Sequence, residues 1–393
     1  MIRIPFFDLQ RQYKQLRSEV LGAVTRVCDS QAFILGPEVV QLERKIAELT
    51  GSPHAVGVSS GTDAELLVLM ALGLESGEAV ITTPFTFFAT AGSISRLGAR
   101  PLFVDIEAAT YNLSPAKLRE FLARECTPTP EGVFWSGVRI RGIVPVHLFG
   151  LCCDMDQILE IGLESNLPVI EDAAQAIGAT YPSKNGPLRA GAISEHSCFS
   201  FYPTKNLGGF GEAGMALTKS ESAAARMRSL RNHGMEPHYY HSDVGGNFRL
   251  DALQAAVLAC KLPYLESWSR RRWQIAQRYR EGLKHLGPEL GLPVEPYCDS
   301  LGARGHIYHQ FVVRTSRRDA LKTALSERGI GTEIYYPLAL HEQPCYRGLG
   351  YRPDDLPEAS RAAQEVLALP VFPELTDSEV DVVIAAVKEF FES

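Results

Sequence analysis

The stretch "AVGVSSGTDAELLVLMAL", residues 55–72, decides how the chain is read. It opens on small and β-branched apolar residues, the composition of a buried strand. A turn of small residues follows, and then a segment that is apolar nearly all round, as a helix covered on every side must be. Strand, small-residue turn and buried helix form the repeating unit of an α/β domain. Ser60, Gly61 and Thr62 would place free backbone N–H groups and a hydroxyl at the helix start. That arrangement suits a bound phosphate, and it equally suits an ordinary Ser/Thr cap.

Outward from this unit, similar runs recur: "AVIT" (79–82), "PLFVD" (101–105), "GIVPV" (142–146), "LPVIED" (167–172), "HSCFSF" (196–201) and "GMALT" (214–218). With residues 55–58 they predict a largely parallel seven-stranded sheet flanked by helices. The last run is separated from its predecessor by a glycine loop only, so it is free to run the opposite way. Upstream, Leu16, Val20, Val24 and Val27 share one helical face. Beyond Gly36-Pro37 so do Val39, Leu42, Ile46 and Leu49. A long helical stretch covers roughly 250–287. A second α+β unit then reads as strand "YHQFVVR", helix "RDALKTALSERG", strand "IGTEIYY" and a terminal helix. The predicted division is an N-terminal arm (1–20), a large α/β domain (21–288) and a small C-terminal α+β domain (289–393). The 393 residues exceed the roughly 250–300 at which one core stops growing.

Composition excludes several classes. The net charge is −7 and no basic tract is long enough for nucleic acid. Cys152–Cys153 is the only close cysteine pair and there is no CxxC, so neither a zinc site nor a disulfide framework is expected. Nothing approaches 18 uninterrupted apolar residues, and the start "MIRIPFFDLQRQYKQL" lacks a signal-peptide core, which predicts a cytoplasmic protein with no membrane partner.

In α/β sheets, ligands bind beyond the carboxyl ends of the strands. "TPFTFFAT" after the second strand offers Phe85, Phe87 and Phe88, one of which could lie flat on a planar ligand or simply pack in the core. Asp172 ends a strand apolar enough to be central, where a carboxylate needs a cation, several donors or a helix to cap. Gln175 lies one helical turn on. "SFYPTKNLGGFGEAG" (200–214) isolates Lys205 among aromatics, hydroxyls and glycines, five residues after Ser200. A phosphate cradle, an aromatic plate, a buried carboxylate and a lone amine are together what pyridoxal phosphate requires.

The chain resembles the DegT/DnrJ/EryC1/StrS family of sugar aminotransferases, fold type I pyridoxal-phosphate enzymes. The likeness runs nearly end to end through "FFDLQRQY", "FILGPEVVQLE", "SSGTDA", "TPFTFFATA", "PVHLFGLCCDMD", "IEDAAQAIGA", "SFYPTKNLGGFGEAG", "GGNFRLDALQAAVL", "IYYPLALH" and "LPVFPEL". The resemblance implies that Lys205 is the internal-aldimine lysine and proton shuttle, and that Asp172 pairs with the pyridinium nitrogen. Gln175 would lie beside the ring hydroxyl and Phe87 on the ring. Gly61, Thr62 and Ser200 match phosphate ligands. Asn247 matches a phosphate contact made from the other subunit, which implies a homodimer with shared active sites. Arg249, Tyr335 and Tyr336 match positions that reach the sugar nucleotide from that other subunit, and His309 is a further substrate-side candidate. Ile177, where many relatives carry histidine, and Ala213, where glycine is common, depart from the pattern without touching these roles.

The function so implied is transfer of an amino group from L-glutamate to a keto-sugar nucleotide, giving an amino sugar for polysaccharide, lipopolysaccharide or glycoside synthesis. Residues 241–262 look closer to members acting on 3-keto sugars than on 4-keto sugars. A sugar dehydratase of the same fold would replace Lys205 with histidine. A non-catalytic regulator could lose Lys205 or Asp172 freely, yet both are present.

Overall fold

The seven predicted runs form one continuous sheet, counted here as β1 (His54–Val58), β2 (Ala79–Thr82), β3 (Arg100–Phe103), β4 (Val138–Val144), β5 (Ile170–Asp172), β6 (His196–Ser200) and β7 (Gly214–Thr218). The computed structural model describes residues 3–392. Met1 and Ile2 of the predicted arm, and Ser393 of the predicted small domain, lie outside the described residues. The sheet order is β1-β7-β6-β5-β4-β2-β3. Only β7 runs antiparallel, to β1 on one side and β6 on the other. Bridges Ile143↔Val169 and Val146↔Asp172 tie β5 to the end of β4. The glycine-bearing loop between β6 and β7 allows a direct antiparallel return, whereas the connections from β1 to β2, β2 to β3, β3 to β4 and β4 to β5 each carry a helix, and the one from β5 to β6 carries a hairpin.

Strand alternation sorts the core. Ile81, Ile143 and Phe199 enter one apolar cluster, while their neighbours Val80, Val144 and Cys198 enter another on the opposite face. The second cluster is closed by helix α3 (Gly61–Ala71), counting α1 as Leu9–Ser30 and α2 as Pro37–Thr50. Every α3 residue from Ala64 to Leu69 is buried, which is why its sequence is apolar nearly all round. Helix α1 buries Leu16, Val20 and Val27 and runs unbroken through residue 20; α2 buries Val39, Leu42 and Ile46. Each such side chain contributes about 1.5–3 kcal/mol.

The 250–287 stretch is two helices, Ala252–Lys261 and Leu265–Leu283, separated by a turn containing Pro263. A second core joins Ile275, Tyr279 and Leu283 of the latter helix to Phe311, Val313, Leu367, Leu369 and Val380. Its sheet differs from expectation. Strand Phe311–Arg314 pairs with Val366–Leu369, whereas the predicted strand "IGTEIYY" makes only the isolated bridges Ile4↔Ile330 and Glu333↔Ala368. The apolar run "VLAL" supplies four buried residues to that position, while the 330–336 segment is only partly buried and turns its tyrosines elsewhere. Two hairpins, 126–135 and 180–189, also went unread, being short and largely exposed. No helix among the described residues is long and apolar enough to cross a membrane.

Candidate functional site

The loops after β1, β2, β5 and β6 converge on one edge of the sheet, and they carry most of the predicted residues. After β1, Ser60 caps α3: its Oγ accepts the Asp63 N–H at 3.0 Å. The N–H groups of Gly61 and Thr62, in the first turn, have no intrahelical acceptors and remain available. Gly61 lies directly against β6. A Cβ built there would sit 2.5 Å from Ser200 Cβ and 3.0 Å from Ser200 Oγ. At the start of β7, a Cβ on Gly214 would come within 2.2 Å of the Ser60 carbonyl oxygen. Both close approaches require glycine, and they bring a helix start, a hydroxyl and Thr62 into one concave corner.

Asp172 closes β5 and is buried. Its Oδ2 accepts a hydrogen bond of 2.8 Å from Thr90 Oγ1, and its Oδ1 accepts the Ala174 N–H at 3.1 Å. Thr90 belongs to helix α4 (Ala89–Arg96), within the stretch read for its phenylalanines. Its role was missed because the contact spans 82 residues of sequence. Gln175 is held from two sides: Oε1 accepts the Phe149 N–H at 2.7 Å, and Nε2 donates to Tyr336 Oη at 3.0 Å.

Lys205 follows β6 and is half-buried. Burial brings its ammonium down from 10.5 to about 8, and the Asp172 carboxylate opposes part of that fall. Asn206, buried beside it, was not singled out from the sequence. Its Nδ2 donates to Ile307 O at 3.3 Å, and its Oδ1 lies 3.0 Å from His309 Nδ1. His309 therefore carries its proton on Nδ1. Burial, then the charges of Lys205 and Arg272, hold its pKa well below the ordinary histidine value.

Phe87 is 58% exposed, its ring centroid 6.5 Å from that of Tyr336, whereas Phe85 is wholly buried and belongs to the core. Tyr335 packs against Tyr336 and Phe6, at 5.8 and 6.1 Å, and Tyr336, bonded to Gln175, stands at its own chain's site and not at a partner's as expected. Burial raises the pKa of both tyrosines. Two predicted residues are held by Asn232 and by the end of β1. Asn247 is exposed and bridges Asn232. Arg249 bridges Val58 and donates from Nη1 to Asn232 Oδ1 at 2.6 Å. Among the described residues, no hydrogen bond or ion pair given by the structure links either to Lys205 or Asp172.

The donor set fits pyridoxal phosphate. There is a phosphate corner that side chains at 61 and 214 would fill, a hydrogen-bonded carboxylate and an amine of lowered basicity. No cluster of three or more potential metal ligands occurs among the described residues.

A model of the DegT/DnrJ/EryC1/StrS aminotransferase family matches residues 14–388. The chain is 41% identical to a pleiotropic regulatory protein of Geobacillus stearothermophilus, over 99% of both chains. It is 40% identical to the dTDP-3-amino-3,4,6-trideoxy-alpha-D-glucose transaminase of Streptomyces venezuelae, covering 99% of this chain and 97% of that one. The solved structure of S. venezuelae DesV in complex with a ketimine intermediate superposes with a TM-score of 0.91, at 40% identity and over 100% of both chains.

Proposed function

The chain belongs to the DegT/DnrJ/EryC1/StrS aminotransferase family, and from that premise we propose that it moves an amino group from L-glutamate onto C3 of a keto-sugar nucleotide. The observation that carries the reading is Lys205, an amine of lowered basicity facing the buried carboxylate of Asp172. Pyridoxal phosphate, the family's cofactor, supplies an aldehyde carbon that takes up the amine and a ring that spreads the charge left on a deprotonated α-carbon.

The protein's own groups divide the remaining work. Lys205 Nζ would hold the cofactor and, once displaced by the donor's amine, would carry a proton from the donor's α-carbon to the cofactor's aldehyde carbon. A lysine can do both because its desolvated ammonium releases a proton readily and its stem is flexible. Asp172, oriented by Thr90 and the Ala174 N–H, keeps a proton on the ring nitrogen. Gly61, Thr62 and Ser200 bind the phosphate through the helix start and two hydroxyls. Gln175 is fixed toward the ring hydroxyl by Phe149 and Tyr336. Phe87, an exposed ring at the rim, covers the ring face. Tyr335, Tyr336 and His309 line the sugar side. Asn247 and Arg249, held by Asn232 and the end of β1, act on the site of a second copy in a homodimer. The reading includes a cytoplasmic location.

Amination at C3 is supported by residues 241–262 and by the activity for which the Streptomyces relative is named. The regulatory name of the Geobacillus relative describes an outcome and not a chemistry. The test is purified protein with cofactor, glutamate and a panel of 3-keto and 4-keto nucleotide sugars, with products read by mass spectrometry and NMR. A 3-amino product with 2-oxoglutarate is expected. Amination of 4-keto substrates alone, or of none, would overturn the assignment.

A further inference from the structure

Helix α3 carries a carboxyl for which the reaction has no use. Glu65 is 1% exposed within a run of leucines and valines, and its Oε1 has no hydrogen-bond partner. An unpaired buried polar atom costs about 1–3 kcal/mol, and a leucine would continue the apolar run without that cost.

Periodicity places Glu65 next to the catalytic edge. It lies one helical turn beyond Gly61, on the same face of α3. Gly61 rests on Ser200, so one turn further the helix faces Cys198, the next residue of β6 on that side. Cys198 pairs in register with Asp172, and its Sγ lies 3.9 Å from Asp172 Oδ1. Ile170, on the same face of β5 as Asp172, packs in the same cluster as Cys198 and Leu67. Glu65, Cys198 and Asp172 thus form a short row in the slot beneath α3. Burial first, and then the charge of Asp172, push the Glu65 pKa well above the ordinary carboxylate range.

We propose that Glu65 is a positioning residue, a second carboxyl behind Asp172 that sets how firmly Asp172 holds the proton on the cofactor's ring nitrogen. The inference rests on the role assigned to Asp172 above. Glu65, wholly buried and with no cation beside it among the described residues, is the carboxyl in this slot that keeps its proton. Its hydroxyl dipole then shares the charge of Asp172 from behind, on the side away from the solvent. A residue present only for packing would exert no such effect.

Two measurements test this. Infrared difference spectra of cofactor-free protein, wild type against Glu65→Gln at neutral pH, should show a protonated-carboxyl C=O band that the substitution removes. Near-visible absorbance of the lysine-bound cofactor, titrated at saturating cofactor in wild type, Glu65→Leu, Asp172→Asn and the double variant, reads the coupling. Glu65→Leu should shift the midpoint by more than about 0.4 unit, beyond the scatter of independent sites, and should lose that shift in the Asp172→Asn background. An ionised Glu65 in the infrared spectra, or an equal or absent shift in both backgrounds, overturns the proposal while the role of Asp172 stands. If Asp172→Asn alone leaves the midpoint where it is in wild type, the role of Asp172 fails and takes this inference with it. Should Glu65→Leu fold poorly, Glu65→Met, also without a donor, serves the same cycle.

Discussion

Cofactor-free protein mixed with pyridoxal phosphate across a pH series should capture it at a rate that rises tenfold per unit and levels near pH 8. The reason is the half-buried amine of Lys205, whose ammonium falls from 10.5 to about 8 through loss of hydration. That fall is roughly 2.5 units, or about 3 kcal/mol against the charged form. At pH 7 about one molecule in ten then presents a free amine, against about one in 3,000 for an ordinary lysine, an advantage of about 300-fold. The sign for stability follows from proton binding. Between about 8 and 10.5 the unfolded chain holds a proton that the folded chain has released. Lys205 therefore costs stability in full below pH 8, and the cost disappears as pH rises toward 10.5. Asp172 opposes the fall, so Asp172→Asn should move the levelling point below 8. The assay is stopped-flow absorbance with cofactor in excess and Lys205→Ala as the blank. A rate in the wild type still climbing with unit slope at about pH 9.5 would show an amine of ordinary basicity and refute the argument.

Gly61→Ala places a methyl 2.5 Å from Ser200 Cβ, and this overpacking should cost about 1–3 kcal/mol and weaken cofactor retention on dialysis. Thr90→Val removes the 2.8 Å hydrogen bond to Asp172 Oδ2. A hydrogen bond to a charged group is worth about 1.5–3 kcal/mol, so turnover should fall about ten- to a hundredfold with the fold intact by circular dichroism. Mixing Lys205→Ala with Asn247→Ala protein under subunit exchange should restore about a quarter of wild-type activity, because half the dimers then hold one intact site of two. No recovery would place Asn247 outside a shared site.

Much of this arrangement was legible because backbone requirements leave marks in sequence. A strand ending in a small-residue turn before a buried helix announces its ligand end, so Gly61, Asp172, Ser200 and Lys205 could be assigned to one edge without coordinates. Less visible were residues whose importance lies in a distant partner. Thr90 reads as one hydroxyl in a helix start until the fold brings it to Asp172, and Asn206 as a neighbour of Lys205 until it meets His309. The small sheet was misread for a related reason. Both "IGTEIYY" and "VLAL" have strand composition, and only the position of the second core decides which pairs with Phe311–Arg314. Pattern specifies a face; the partner across the gap is a property of the whole chain.

The pair Glu171–Asp172 shows how far alternation alone divides labour. Adjacent on β5, the two carboxylates point to opposite faces of the sheet. Glu171 accepts the N–H groups of Gly191 and Ser194 at 2.8 and 2.6 Å and meets His147 Nε2 at 3.1 Å. Burial alone would raise its pKa, but these partners outweigh burial and lower it, leaving a charge fully engaged in holding a loop. Asp172, one residue on, accepts from Thr90 and one backbone N–H and turns to the site edge, with Glu65 unpaired behind it. A slip of one residue in β5 would exchange these environments, leaving the ring nitrogen facing the position of a carboxylate already saturated by donors. The register that Val146↔Asp172 and Cys198↔Asp172 impose from both sides is therefore a chemical requirement as much as a structural one.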